Sequence, residues 1–213
     1  VSNTRDGRGA GSIAAGVGGA SELMYDAVVL TGGRSSRLGG VPKSTLIVDG
    51  FSLLERTCSA LNEARRLVVV GGPAPDLPPR AELVREDPPF GGPAAAVSAA
   101  VVHLMTDPAP WVFVLACDMP RISDALPALM RGAAETSASV LAHDGGRDQP
   151  LAALYRWADL ATTEKQEVRN LSMRALLARV TWSPVEVPAG STTDIDTWSD
   201  ARQFGVEEPG AGR

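Results

Sequence analysis

Tyr25-Asp26-Ala27-Val28-Val29-Leu30-Thr31-Gly32-Gly33-Arg34-Ser35-Ser36-Arg37-Leu38-Gly39-Gly40-Val41-Pro42-Lys43 is the stretch from which the fold is read. An apolar run of strand length, residues 27–30, gives way to a basic, glycine-rich loop. At the carboxyl end of a parallel strand such a loop lets backbone N–H groups approach an anion closely, because no Cβ stands in the way. Between Asp26 and Asp49 the only charged residues are Arg34, Arg37 and Lys43, in a chain whose 20 basic and 25 acidic residues leave a formal charge of −5. The sign of the protein inverts at this loop. Lys43 stands out further, since the chain carries only one other lysine, Lys165, and otherwise uses arginine. A compact ammonium on a flexible stem is placed where composition would have supplied a guanidinium.

Working outward, short apolar runs alternate with longer segments rich in alanine and leucine, the pattern of an α/β domain with a mostly parallel central sheet flanked by helices, a Rossmann-like architecture. The strands are expected at 27–30, 67–70, 82–84, 111–116, 139–141, 152–155 and 185–187. Helices are expected at 52–64, opened by a Ser52 N-cap with Glu55 completing a capping box, and at 93–105, 123–131 and 171–179. A last helix begins after Asp196 and ends near Phe204. Residues 1–24 show no periodicity and read as a disordered leader, 25–205 as one domain, and 206–213 as a polar tail.

Composition narrows the function. With 213 residues, 44% hydrophobic and 21% charged, the chain can bury a substantial core. Its acidity argues against nucleic acid or an anionic membrane as partner, and no apolar run approaches the ~20 residues of a membrane helix. Two cysteines, Cys58 and Cys117, lie in apolar segments and make no disulfide framework, which fits a reducing cytoplasm. Two familiar phosphate loops are excluded. Val41 and Pro42 separate Gly40 from Lys43, whereas a Walker loop needs Gly directly before Lys, and the glycine spacing does not supply G-x-G-x-x-G.

A second chemical feature closes the 111–116 strand: Cys117-Asp118-Met119-Pro120. If this strand runs parallel to the first, Asp118 emerges on the same sheet edge as the glycine loop, where a carboxylate could hold Mg2+ between phosphates; capping a helix near Ser123 is the alternative. Asp194-Ile195-Asp196-Thr197 supplies a further carboxylate pair, with Asp196 read either as a metal ligand or as the N-cap of the final helix.

Together the loop, the Glu86-Asp87-Pro88-Pro89-Phe90-Gly91-Gly92-Pro93 turn, the Cys117-Asp118-Met119-Pro120 strand end, the Asp144-Gly145-Gly146-Arg147-Asp148-Gln149-Pro150-Leu151 segment and Asp194-Ile195-Asp196-Thr197 resemble the MobA-like nucleotidyltransferases, in the family's order, over residues 26–204. The resemblance implies an enzyme that transfers GMP from GTP to molybdopterin, releasing pyrophosphate, with Mg2+ as cofactor. It implies that Leu30, Thr31 and Gly32 meet guanine and ribose through backbone groups, that the segment from Gly33 to Gly39 wraps the triphosphate, and that Arg37 and Lys43 bind phosphate oxygens. Gly71 would touch the base, Asp87 the nucleoside, and Asp118 both GTP and Mg2+, with Asp196 a further metal ligand. Arg37, Lys43 and Asp118 form the implied catalytic set. It also implies transient contact with other proteins of molybdenum-cofactor biosynthesis or insertion. Thr31 replaces the family's usual alanine, and Asp194 and Asp196 stand where some relatives carry asparagine.

On the acceptor side, Arg147, Asp148 and Gln149 in a glycine-flanked loop, with Arg169, Asn170 and Arg174 near a helix start, are the residues that could meet a pterin phosphate. The competing readings are a CTP-dependent molybdopterin cytidylyltransferase, a guanylyltransferase for another phosphorylated acceptor, and a nucleotide-binding regulator without turnover.

Overall fold

The computed structural model describes residues 23–206 apart from Arg34, Pro73, Pro88, Phe90 and 164–171, and the side chains of Thr163, Arg174, Leu176 and Arg179. The expected leader, apart from its last two residues, lies outside the described residues, as do Arg169 and Asn170 and the tail beyond Val206.

In chain order the strands are β1 (Tyr25–Leu30), β2 (Ile47–Val48), β3 (Phe51–Ser52), β4 (Leu67–Val70), β5 (Ala81–Val84), β6 (Trp111–Ala116), β7 (Ser139–Asp144), β8 (Arg147–Arg156) and β9 (Trp182–Glu186). The helices are α1 (Leu53–Ala60), α2 (Pro93–Leu104), α3 (Leu126–Glu135), α4 (Trp157–Leu160), α5 (Met173–Leu176) and α6 (Trp198–Gln203). Seven strands form one sheet in the order β5-β4-β1-β6-β8-β7-β9, all parallel to their neighbours except β8, which runs antiparallel to both β6 and β7. The expected α/β architecture with a mostly parallel sheet is what the chain adopts.

Both faces of the sheet are covered, which is why its strands read as continuous apolar runs. Ala27 and Val29 of β1, with Phe113 and Leu115 of β6, face a core shared with α1 and α3. Val28 and Leu30, with Val112 and Val114, face the opposite core against α2. A third, smaller cluster joins Leu38, Leu46, Val48 and Leu53 to Ile195, Ala201 and Val206. That cluster decides the site, because it fastens the segment after the glycine loop to the C-terminal segment. Asp26, fully buried, is satisfied by the Arg65 guanidinium at 3.1 and 3.2 Å and by Ala109 N–H at 2.7 Å.

Several boundaries differ from expectation for identifiable reasons. The Ser52 and Glu55 capping box forms as read, but α1 ends at Ala60, not residue 64. The helix expected at 123–131 begins as a single 3₁₀ turn and becomes α-helical over Leu126–Glu135. Arg147, Asp148 and Gln149 are in β8 and not in a loop: Gly145 and Gly146, both at positive φ (57° and 77°), close a two-residue hairpin immediately before them. The last strand starts at Trp182 and stops before Val187, and tolerates Pro184 because β9 is a sheet edge. The small β2–β3 hairpin, absent from the expected elements, turns on Asp49-Gly50, whose φ values of 51° and 85° suit the same kind of turn. The N-cap of α6 is Thr197, whose hydroxyl accepts from Asp200 N–H while the Asp200 carboxylate accepts from Thr197 N–H. Asp196 is therefore not the cap. Leu23 packs on the first core and Val206 belongs to the third, so packed residues flank 25–205 at both ends. Among the described residues no helix is long and apolar enough to cross a membrane.

Leu38 is fully buried between the loop segment and Ile195. Leu38→Ala is expected to lower unfolding free energy by about 2–5 kcal/mol in urea denaturation, as for other buried leucines.

Candidate nucleotide-binding and metal site

The parallel pairing of β1 with β4 and β6 sets the site at the carboxyl edge of the sheet. Thr31 leaves β1 with its N–H donating to Val70 O at 2.9 Å and its hydroxyl donating to the same oxygen at 3.2 Å. Cys117 N–H donates to Leu30 O at 3.0 Å, so Asp118 emerges beside the glycine loop. A cleft of about 890 Å³ opens here. Leu30, Thr31, Gly32, Gly33, Lys43 and Asp118 line it on the loop side, and Arg147, Asp148 and Gln149 on the β7–β8 hairpin side. Ends of strands, not an isolated surface turn, therefore build the cavity, as expected for ligand binding in open α/β sheets.

Lys43 opens a 3₁₀ turn after Pro42, and its Nζ lies 2.7 Å from Asp118 Oδ2 and 2.5 Å from Asp196 Oδ1. Arg37 approaches the other Asp196 oxygen at 3.6 Å from an exposed position. Asp196 reaches them because Ile195 N–H donates to Asp118 O at 2.9 Å while the Ile195 side chain is fully buried in the third core. One carboxylate oxygen from each of Asp118, Asp194 and Asp196 fits within a sphere of mutual distances no greater than 4.8 Å. Burial tends to lower the pKa of the Lys43 ammonium, but Asp118 and Asp196 outweigh it and hold the group above its ordinary value. Asp194 is shifted upward, first by partial burial and then by the negative charges of Asp118 and Asp196. Among the described residues of this cluster, two positive side chains against three carboxylates leave local negative charge, and oxygen-only donors of this kind suit a hard divalent cation such as Mg2+ or Mn2+.

Other sequence-derived candidates fall around this centre. Gly39 follows the 3₁₀ turn holding Arg37, at φ 65°, and does not line the cleft. Gly71 also stands behind the wall: at φ 145° it abuts the β1 loop so closely that a Cβ would lie 2.4 Å from Thr31 Oγ1 and 2.9 Å from Gly32 N. Its structural role is to let two loops touch. Asp87 is exposed and does not line the cleft, whereas the adjacent Glu86 does. The side chain of Arg174 lies outside the described residues, while its neighbour Met173 lines the cleft. Glu86, Met173 and Thr192 were not singled out from the sequence; the signal for Glu86 was its position two residues beyond the end of β5, beside the chosen Asp87.

The model of the MobA-like NTP transferase domain matches residues 27–184, about three quarters of the chain. This chain belongs to the MobA-like NTP transferase family. The match begins in β1 and ends in β9, so the MobA-like domain takes in the glycine loop, Lys43 and Asp118, while Asp194 and Asp196 lie just beyond it. Among curated relatives, the molybdenum cofactor guanylyltransferase of Vibrio parahaemolyticus is 30% identical over 132 residues, 60% of this chain and 66% of that protein. The chain thus aligns with slightly less than two thirds of the length of such relatives. A protein of Opitutus terrae named "Probable molybdenum cofactor guanylyltransferase" is 36% identical over 142 residues, 65% of this chain and 69% of its own length. The fold resembles that of a Mycobacterium tuberculosis H37Rv protein solved in complex with manganese, at a TM-score of 0.64 and 16% identity, covering 85% of this chain and 97% of that one.

Gly32, on the wall, and Gly71, behind it, should respond unequally to a methyl group. A Cβ on Gly32 meets nothing closer than Glu86 Oε1 at 4.0 Å, whereas one on Gly71 collides with backbone. Gly71→Ala is expected to cost about 1–3 kcal/mol in chemical denaturation and Gly32→Ala less than about 0.5 kcal/mol. Equal costs would contradict the packing described for these loops.

Proposed function

We propose that the chain is a nucleotidyltransferase that transfers GMP from GTP to molybdopterin, forming the guanine dinucleotide and releasing pyrophosphate. The observation that carries this reading is the meeting of a glycine-rich loop, Lys43 and three carboxylates at one sheet edge. The names of the curated relatives support the choice of GTP and molybdopterin.

In this reading an oxygen of the acceptor's phosphate attacks the α-phosphorus of GTP in line, the bond from the α-phosphorus to its bridging oxygen breaks, and pyrophosphate leaves. The attacking phosphate is already ionised at neutral pH, so no residue need serve as base. The chain's work is to position reactants and to offset charge. Backbone groups of Leu30, Thr31 and Gly32 would face guanine and ribose, with Gly33 and the following residues around the phosphates. Lys43, on a flexible stem between two carboxylates, can turn its ammonium to phosphate oxygens, and Arg37 borders it from the solvent side. Asp118, with Asp194 and Asp196, would hold Mg2+, which when bound neutralises charge on phosphate oxygens. Arg147, Asp148 and Gln149 form the opposite wall, where an acceptor phosphate would find the Arg147 guanidinium. His143 Nδ1 lies 2.7 Å from Asp148 Oδ1 and fixes that carboxylate.

Purified protein with Mg2+ and each nucleoside triphosphate, with and without molybdopterin, tests the reading by pyrophosphate release. GTP with molybdopterin is expected to give the fastest release; preference for CTP would make the enzyme a cytidylyltransferase, and no release with any pair would leave a binding protein. Asp118→Ala is expected to lower the rate at saturating Mg2+ by at least about 10²-fold, since metal assistance is worth several kcal/mol and each 1.4 kcal/mol is tenfold.

Base choice gives a second test. Gly32 has no Cβ on the wall that would face the base, and space for one exists in the protein itself. Gly32→Ala is therefore expected to reduce kcat/KM for GTP more than for CTP, because the added methyl narrows the slot for a purine without disturbing the fold.

A further inference from the structure

Asp144 is the last residue of β7 and does not line the cleft, yet both its carboxylate oxygens accept hydrogen bonds. Oδ1 accepts from Gly190 N–H at 3.0 Å, and Oδ2 accepts from Thr192 N–H at 3.0 Å and from the Thr192 hydroxyl at 2.8 Å. Thr192 is 5% exposed, so this is a partly buried, charge-assisted clamp on a turn. Three residues on, Ile195 N–H donates to Asp118 O at 2.9 Å. Asp194 lies between these two fixed points. One is tied to the end of β7 and the other to Asp118, two residues beyond β6.

Geometry and charge give the clamp a consequence beyond fold stability. Asp194 and Asp196 sit within 4.8 Å of Asp118, an approach that like charges oppose. Lys43 contacts Asp118 and Asp196 but makes no ion pair with Asp194. Relief of the repulsion would come from letting the 190–194 turn swing outward, and the three bonds to Asp144 hold that turn in place. We propose that Asp144 is a positioning residue for the divalent-cation carboxylates: by clamping Gly190 and Thr192 it holds Asp194 against Asp118 and so sets the affinity of the site for metal. The inference rests on the reading of Asp118, Asp194 and Asp196 as metal ligands, and it concerns a residue that touches neither metal nor substrate.

The test is direct Mn2+ binding, followed by the EPR signal of free Mn2+ without nucleotide, for wild type, Asp144→Asn and Thr192→Val. An asparagine can keep the acceptor for one donor but presents an N–H to the other, so Asp144→Asn is expected to weaken Mn2+ binding about 10–100-fold, the range for residues that orient metal ligands. In turnover the same variant is expected to need more Mg2+ for half-maximal rate while kcat recovers at saturating metal. Thr192→Val removes one of the three bonds and keeps the Asp144 carboxylate, so it is expected to shift Mn2+ affinity the same way by a smaller factor; it also answers for Asp144→Asn should that variant not fold. Unchanged Mn2+ affinity in folded variants, with only a lowered Tm, would make Asp144 a strand-end cap and overturn the inference. Wild type that binds no Mn2+ would overturn the metal reading and this inference with it, whereas weakened Mn2+ binding without guanylyl transfer would uphold the inference and count against the proposed reaction alone.

Discussion

The Lys43 ammonium, 2.7 Å from Asp118 and 2.5 Å from Asp196, is the interaction on which the architecture of the site depends. It joins three distant parts of the chain: the loop after β1, the end of β6 and the segment before α6. The ion pairs alone would not secure so close a gathering of acids. Burial of Leu38 and Ile195 in one small core brings the segments together, and the bond from Ile195 N–H to Asp118 O fixes the register between them. Apolar packing supplies the proximity and Lys43 makes it electrostatically tolerable.

In the proposed reading, the same arrangement lets a molecule that is acidic overall take phosphates. Glycine-rich backbone supplies N–H groups without competing side chains, and the two cations of the described loop, Arg37 and Lys43, stand beside carboxylates that a divalent cation would neutralise. Cys117, immediately before Asp118, is buried, and burial pushes its thiol pKa upward, which disfavours the thiolate form.

Much of the fold was legible because the central strands are buried on both faces and leave uninterrupted runs such as Val68-Val69-Val70 and Trp111-Val112-Phe113-Val114-Leu115-Ala116. The start of β8 was not, since Arg147, Asp148 and Gln149 carry no apolar alternation and are paired because the Gly145-Gly146 turn folds them back on β7. Helix α5 is a single turn, shorter than expected, from which Met173, with Leu177 and Val180 beyond it, enters the core against α2. For the site, Lys43 and Asp118 could be chosen from composition and from the strand-end rule. Asp196 could not be separated from a helix cap until Thr197 was seen to take that role. The clamp by Asp144 was hidden entirely, because it acts on backbone N–H groups 46 and 48 residues away. Sequence patterns mark the elements; contacts between their ends are set by tertiary packing.

The central claim is that the carboxylates of Asp118, Asp194 and Asp196 and the glycine loop form one centre that takes a nucleotide and a divalent cation together. Anomalous diffraction from crystals grown with Mn2+ and a non-hydrolysable GTP analogue tests it most directly. The expected result is a manganese peak within coordination distance of Asp118 and of at least one of Asp194 and Asp196, with the phosphates of the analogue against residues 31–43. A manganese peak away from these carboxylates, or a nucleotide bound elsewhere on the sheet, would contradict it.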